Sequence, residues 1–198
     1  MKRFIEPVTL RGDHATLEPL AREHAPALAK AAEDGELWRL WYTGVAPPDK
    51  MDGYVATALD MRERLDAMPF IVRDNESGDI VGCTRYFNVD TVSRRVEIGH
   101  TWYAQRVQRS PINTECKLML LTHAFETLNC IAVEFRTHWF NHQSRAAIAR
   151  LGAKQDGVLR NHAITADGIK RDTVVFSIID SEWPAVRHHL RYQLSKPR

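Results

Sequence analysis

The chain has 198 residues, 44% hydrophobic and 26% charged, which suits a soluble folded domain and excludes long disordered stretches. A net charge of +2 gives no support to nucleic-acid binding as the main activity. The three cysteines, Cys83, Cys116 and Cys130, have no Cys-x-x-Cys spacing, so neither a disulfide framework nor a metal site is indicated and reduced thiols are expected.

No Pro/Gly/Ser-rich linker or change of composition divides the chain, so residues 1–198 read as a single domain. The start, Met1-Lys2-Arg3-Phe4-Ile5-Glu6, lacks the apolar run of a signal peptide, and no apolar stretch is long enough to cross a bilayer. A cytoplasmic protein without membrane association is expected, and nothing separates a monomer from a homodimer. Ala15 to Leu20 alternates as a short strand, and Arg22 to Glu33, with Pro26 near its first turn, reads as a helix. Leu37, Trp38, Leu40, Trp41 and Tyr42 then form an apolar cluster closed by Thr43-Gly44 and Pro47-Pro48. Two readings stand for it: a corner wedged into the core, or, through Trp38, Trp41 and Tyr42, the wall of a substrate pocket. Asp49 to Asp66 is a second helix, with Met51, Tyr54, Val55, Ala58, Met61 and Leu65 on one face.

From Pro69 the period becomes alternating. Phe70 to Val72 and Ile80 to Phe87 are strands joined by the turn residues Asn75 to Asp79. Asn88 to Arg94 connects to a strand from Val96 to Tyr103; Phe87 opposite Arg95 would place Arg85 beside Glu97. The basic loop Gln105-Arg106-Val107-Gln108-Arg109-Ser110-Pro111 then feeds a helix on which Leu118, Leu121, Phe125 and Leu128 form an apolar stripe, with Glu115, Lys117, Thr122 and Glu126 on a wet face. The first N–H groups of a helix lack intrahelical partners, so this junction is a seat for a phosphate, held by the N–H groups of Ile112, Asn113 and Thr114. Ile131 to Thr137 is a strand, Asn141 to Leu151 a short helix ended by Gly152, and Gly157 to Ile164 and Thr173 to Ile179 a hairpin around Ala166-Asp167-Gly168. Ser181 is read as capping a last helix to about Leu194. The order βααβββαβαββα predicts an α+β domain of three layers, a mixed, mainly antiparallel sheet covered by helices.

Val96-Glu97-Ile98-Gly99-His100-Thr101-Trp102, Gln108 through Ile112-Asn113-Thr114-Glu115, and Leu121-Thr122-His123-Ala124-Phe125-Glu126 resemble the GNAT superfamily of acetyl-CoA-dependent N-acetyltransferases. Glu134 to Thr137, Asn141 to Ile148 and Leu151 to Lys154 resemble its ribosomal-protein N-terminal acetyltransferase branch, and the similarity covers most of the chain. The resemblance implies a twisted sheet splayed between its fourth and fifth strands, with acetyl-CoA in the opening and a primary amine, on a protein N-terminus or a small molecule, as acceptor. It implies cofactor contacts from Trp102, Tyr103, Gln108 and Ser110, from the helix start at Ile112 to Thr114, and from Asn141. Arg106 or Arg109 would pair with the pyrophosphate. In the family's loop pattern Pro111 stands where a glycine belongs and Asn113 where a second one does. Proline has no N–H. One lost hydrogen bond to a charged group is worth about 1.5–3 kcal/mol, so affinity would fall by about one to two orders of magnitude. Against that, proline is favoured at a helix start and leaves the later N–H groups free. The alternative function is therefore a non-catalytic GNAT-fold binding or regulatory module.

The resemblance makes Glu97 the base and Ser144 the acid facing the sulfur. Each has a bland alternative. Glu97 can be the ion-pair partner of Arg85, and Ser144, three residues after the N-cap Asn141, can serve only the first helical turn. His100 is a second base candidate, on the opposite face from Glu97 unless a bulge intervenes. His138 and His142 flank the loop before Ser144.

Overall fold

A computed structural model describes residues 4–64, 67–165 and 167–196. Leu65 and Asp66 at the end of the second predicted helix, and Ala166 of the last hairpin turn, lie outside the described residues. The strands are β1 (Leu10–Arg11), β2 (Ala15–Pro19), β3 (Ala67–Asp74), β4 (Ile80–Asp90), β5 (Arg95–Tyr103), β6 (Ala132–His138), β7 (Lys154–Ile164) and β8 (Lys170–Ile179). They form one eight-stranded sheet in the order β1-β2-β3-β4-β5-β6-β8-β7. Every neighbouring pair is antiparallel except β5 and β6. The helices are α1 (Ala25–Glu33), α2 (Met51–Glu63), α3 (Ile112–Thr122), α4 (His142–Ala149) and α5 (Trp183–Ser195). None of the described helices is long and apolar enough to cross a membrane.

The helices cover both faces, and β4 shows which lies where. Successive side chains of a strand point to opposite faces. Cys83 meets the hydroxyl of Tyr54 on α2, and Arg85 lies over the Tyr54 ring. Fully buried Tyr86, the next residue and so of opposite phase, donates its hydroxyl to the Leu120 carbonyl of α3. So α2, with α1 beside it, packs on one face and α3, with α5 beside it, on the other.

β5 and β6 pair only from Arg95 to Glu97 against Ala132 to Glu134, and then separate. This is the splay expected between the fourth and fifth strands, the count shifted by one because Leu10–Arg11 is a short strand of its own. β6 stays fully paired to β8 from Ala132 to His138, so the outer half of the sheet remains rigid beside the gap.

Three local expectations are corrected. β4 continues to Asp90, whose carboxylate accepts the N–H groups of Val92 and Ser93 and builds the turn there; Phe87 therefore faces Glu97, and Arg85 faces Gly99 instead of Glu97. α3 is not polar on its outer side only: Glu115 and Lys117 are 6% and 5% exposed, because the helix is covered on more than one side. It also ends earlier, in a π turn over His123–Thr127, with the Leu128 N–H donating to the His123 carbonyl. Finally, Glu182 occupies the N-cap of α5 with no side-chain cap bond, so Ser181 does not cap it.

Glu115 ties the first hairpin to α3. Its carboxylate accepts the N–H groups of Asp13, His14 and Ala15 at 2.8–2.9 Å. Gly12 makes the approach possible, since a Cβ there would lie 2.4 Å from the carboxyl carbon. Glu115→Ala leaves three donors without their acceptor and is expected to lower stability by about 3 kcal/mol, read from the urea midpoint at unchanged m-value.

Candidate active site

Where β5 and β6 part, a cavity of about 1490 Å³ opens. Its floor is the outer half of β5, its mouth the loop and first turn of α3, and its far side is made by β6, α4 and the β7–β8 hairpin. The Leu37 to Val45 segment closes one end.

The floor is bulged. Cys83 faces Trp102 and Arg85 faces Gly99, so His100 and Thr101 together oppose Thr84, and His100 takes φ 48°. The extra residue changes the phase. His100 comes to the same face as Glu97, its ring 4.9 Å from that of Phe87, the cross-strand partner of Glu97. Thr101 stays on the α3 face, its hydroxyl 2.7 Å from that of Thr84.

Glu97 is 3% exposed and lines the cavity. Asn88 Nδ2 donates to its Oε2 at 2.8 Å, and Arg136 Nε lies 3.4 Å away as an ion pair. Burial dominates and pushes the carboxyl up to about 7, against the smaller lowering by Asn88 and Arg136. Arg85 is not its partner. The Arg85 guanidinium is buried against the Tyr54 ring and Met61 Sδ, and does not reach the cavity. Enclosure of the His100 ring, whose outer edge stays open to the cleft, and then the Arg85 charge hold that imidazole below the usual histidine range. Of the two base candidates, the carboxylate is therefore the one poised near neutrality.

Ser144 lines the opposite side. Asn141 caps α4 by accepting the Ser144 N–H at 2.9 Å, so the cap is made by the asparagine. The Ser144 hydroxyl makes no hydrogen bond to the described residues and faces the cavity.

Pro111 sits at the N-cap of α3 with φ −63°, a value proline holds without strain. The Ile112 N–H is taken by Ser110 Oγ at 3.3 Å, and Ser110 in turn donates to the Val107 carbonyl. The first in-helix bond comes from the Glu115 N–H, which leaves those of Asn113 and Thr114 without backbone partners. Gln108 links the Tyr103 carbonyl to Gln143 of α4. Asn113, Gln108, Arg109 and Ser110 line the cavity, as do Trp102 and Tyr103; Ile112 and Thr114 are buried behind it. Arg106 is turned away, paired with Asp34 and Asp79 at 3.2 and 3.1 Å. Besides Arg109, Arg150 reaches the mouth, from the C-terminal end of α4, donating to Thr114 Oγ1 at 3.0 Å. No sequence signal pointed to it.

At the end closed by the Leu37 to Val45 segment Tyr42 lines the cavity, while Trp41 stands outside it, edge-on to His138 with ring centroids 4.9 Å apart; Trp38 packs towards the core. Arg171 and His138 face this end with Nε and Nε2 buried and unpaired among the described residues. Arg136, Arg171 and Lys117 were absent from the sequence-derived candidates, because only the fold brings them to the cleft. The described residues hold no cluster of three or more His, Cys, Asp or Glu side chains suited to a metal ion.

Residues 14–154 match the acetyltransferase (GNAT) domain family. The Bacillus subtilis protein YdaF, assigned by name as a ribosomal N-acetyltransferase, is 27% identical over 86% of this chain and 94% of its own. The crystal structure of a GCN5-related N-acetyltransferase from Brucella melitensis superposes with TM-score 0.86 at 28% identity, covering 96% of this chain and 87% of that one. Mycobacterium smegmatis RimJ, solved with CoA-disulfide, superposes with TM-score 0.76 at 22% identity over 94% of this chain and 93% of its own. With the open sheet, the bulged floor strand and a match spanning most of the sequence, the chain belongs to the GNAT acetyltransferase family and is an N-acetyltransferase.

Proposed function

We propose that the enzyme moves the acetyl group of acetyl-CoA directly to a primary amine, a protein N-terminus or a small molecule, in a ternary complex. The observation that carries this reading is one cavity faced by three kinds of group at once: unpaired helix N–H groups, a free hydroxyl and a buried carboxylate poised near neutrality. The N–H groups of Asn113 and Thr114, with Arg150 and Arg109 beside them, suit a pyrophosphate. The edge of β5 beyond Glu97, which has lost β6 as partner, presents backbone groups to a pantetheine chain and a thioester carbonyl. Acetyl-CoA supplies an activated acyl carbon and a thiolate leaving group. Glu97 takes the proton of the acceptor ammonium, directly or through water, while Asn88 and Arg136 hold its carboxylate. Ser144 gives a hydrogen bond to the departing sulfur from across the gap. The name of YdaF supports a protein acceptor, and the aromatic wall of Trp41, Tyr42 and His138 suits a chain end laid across it.

Pro111 favours a second reading, a non-catalytic module with weakened capture. A thermal-shift titration with acetyl-CoA separates the two, since a ligand that binds only the native state raises Tm with concentration. A rising Tm is expected, with Arg150→Ala weakening the response by about tenfold in Kd and Pro111→Gly leaving it within about threefold. An unresponsive Tm would favour the module.

The proton transfers are tested by pH and by kinetics. In the native state Glu97 binds its proton up to about 7, above its ordinary value of 4.5, so ionisation opposes folding: wild-type stability falls as pH rises through this window. Glu97→Gln is expected to abolish that fall and, with it, the acidic limb of the kcat/KM profile near pH 7. A full-rate variant with an unmoved limb would remove Glu97 as base.

Ser144→Ala should reduce kcat by about 100-fold with little change in acetyl-CoA affinity, because the hydrogen bond forms mainly as charge develops on sulfur. An unchanged kcat would leave Ser144 as a helix-start residue only.

A further inference from the structure

Lys117 is a charged residue that neither the fold nor the proposed proton transfers employ. It is 5% exposed, yet the tip of its side chain lines the cavity. Its ammonium donates to Thr101 Oγ1 at 2.8 Å and lies 3.4 Å from Thr84 Oγ1, the two hydroxyls being 2.7 Å apart. Thr101 Oγ1 also lies 3.5 Å from the Gly99 carbonyl, so the cation is wired to the bulge of β5.

No carboxylate among the described residues forms an ion pair with it. Glu115, on the same helix, is turned into the Asp13 to Ala15 turn, and Glu97 and His100 lie on the other face of β5. The titratable groups that act on it are the Cys116 thiol of α3 and, from the α2 face of β4, the Cys83 thiol, which burial raises to about 12 and about 11 and so keeps neutral. Burial lowers Lys117 itself only to about 8, which leaves it mostly charged at neutral pH. An enclosed ammonium without a counter-anion is costly, and joining two threonine hydroxyls does not call for a charge. The position is informative: Thr101 belongs to the β5 edge that has lost β6, between the base Glu97 and the pyrophosphate loop at Gln108.

We propose that Lys117 is an electrostatic positioning residue for acetyl transfer, its fixed ammonium behind Thr101 stabilising the negative charge that collects on the departing sulfur of CoA. The inference rests on the reading that the thioester lies along this edge. In the step, the amine that Glu97 has deprotonated bonds through nitrogen to the acetyl carbon, the carbon–sulfur bond breaks with its electron pair on sulfur, and the second nitrogen proton passes to water. Lys117 keeps its protons and acts through charge. A structural lysine would affect stability; this one also lowers the proton affinity of a bound thiol.

The test uses the full chain with CoA itself as probe, following thiolate absorbance against pH for free and bound CoA and subtracting the ligand-free protein to remove Cys83 and Cys116. The bound thiol is expected to titrate about one unit or more below the free one, and Lys117→Met to return it most of the way. Lys117→Arg, which keeps the charge, should preserve the shift. Acetyl-CoA has no thiol, so its affinity should stay within about threefold in Lys117→Met. A bound thiol with unshifted pKa in the wild type overturns the proposal, even should Lys117→Met fail to fold, and so does a shift that survives intact in that variant. Failure of both CoA and acetyl-CoA to bind would instead overturn the cofactor reading, and this proposal with it.

Discussion

The structure depends on a pairing that stops. β5 and β6 share a parallel ladder for the length of Arg95 to Glu97 and then diverge, while β6 remains locked to β8 and β5 to β4. Backbone N–H and C=O groups that lose a strand partner must be met by something else. The break in the ladder therefore leaves the edge of β5 open to the cavity. The bulge at His100 and Thr101 sharpens it, because the added residue turns Glu97 and His100 to one face and Thr101 to the other. The floor strand thus presents a different set of polar groups on each of its two faces.

The gap also accounts for where charge is buried. Glu97 and Lys117 lie on opposite faces of the same strand, both at least nine-tenths covered, and desolvation moves each towards its neutral form: the carboxyl up to about 7, the ammonium down to about 8. The opposite shifts of these two unlike groups thus have one cause, their enclosure in the cleft. Glu115 is buried for another reason. Its three backbone donors satisfy it fully, and it anchors the first hairpin to α3.

The mouth of the cavity illustrates how a loop absorbs an unusual residue. Proline at the N-cap of α3 has the backbone angle it prefers, and Ser110 takes up the Ile112 N–H. The donors that remain are Asn113 and Thr114, supported by Arg150 entering from α4. Arg106, one of the two loop arginines expected at the phosphate, instead ties the loop to Asp34 and Asp79.

Periodicity located the long elements, and turn residues separated them, because these signals are carried by neighbours a few positions apart. The strand–loop–helix unit from Val96 onward and the Asn141 cap were legible for that reason, whereas Glu97 and Ser144 became candidates through the family resemblance. Register was not. Asp90 rather than Phe87 ends β4, and this difference moved Arg85 from Glu97 to Gly99. Nor did local pattern reveal the bulge, which reconciles His100 with the face of Glu97, or the inward turn of Glu115 and Lys117, which a helical wheel reads as wet. Arg136, Arg150 and Arg171 reached the cleft from β6, α4 and β8, far apart along the chain. Spacing encodes which residues form an element and which side of it is apolar. Which buried cation meets which carboxylate depends on how strands slide and where they part, and that is settled by packing across the whole sheet.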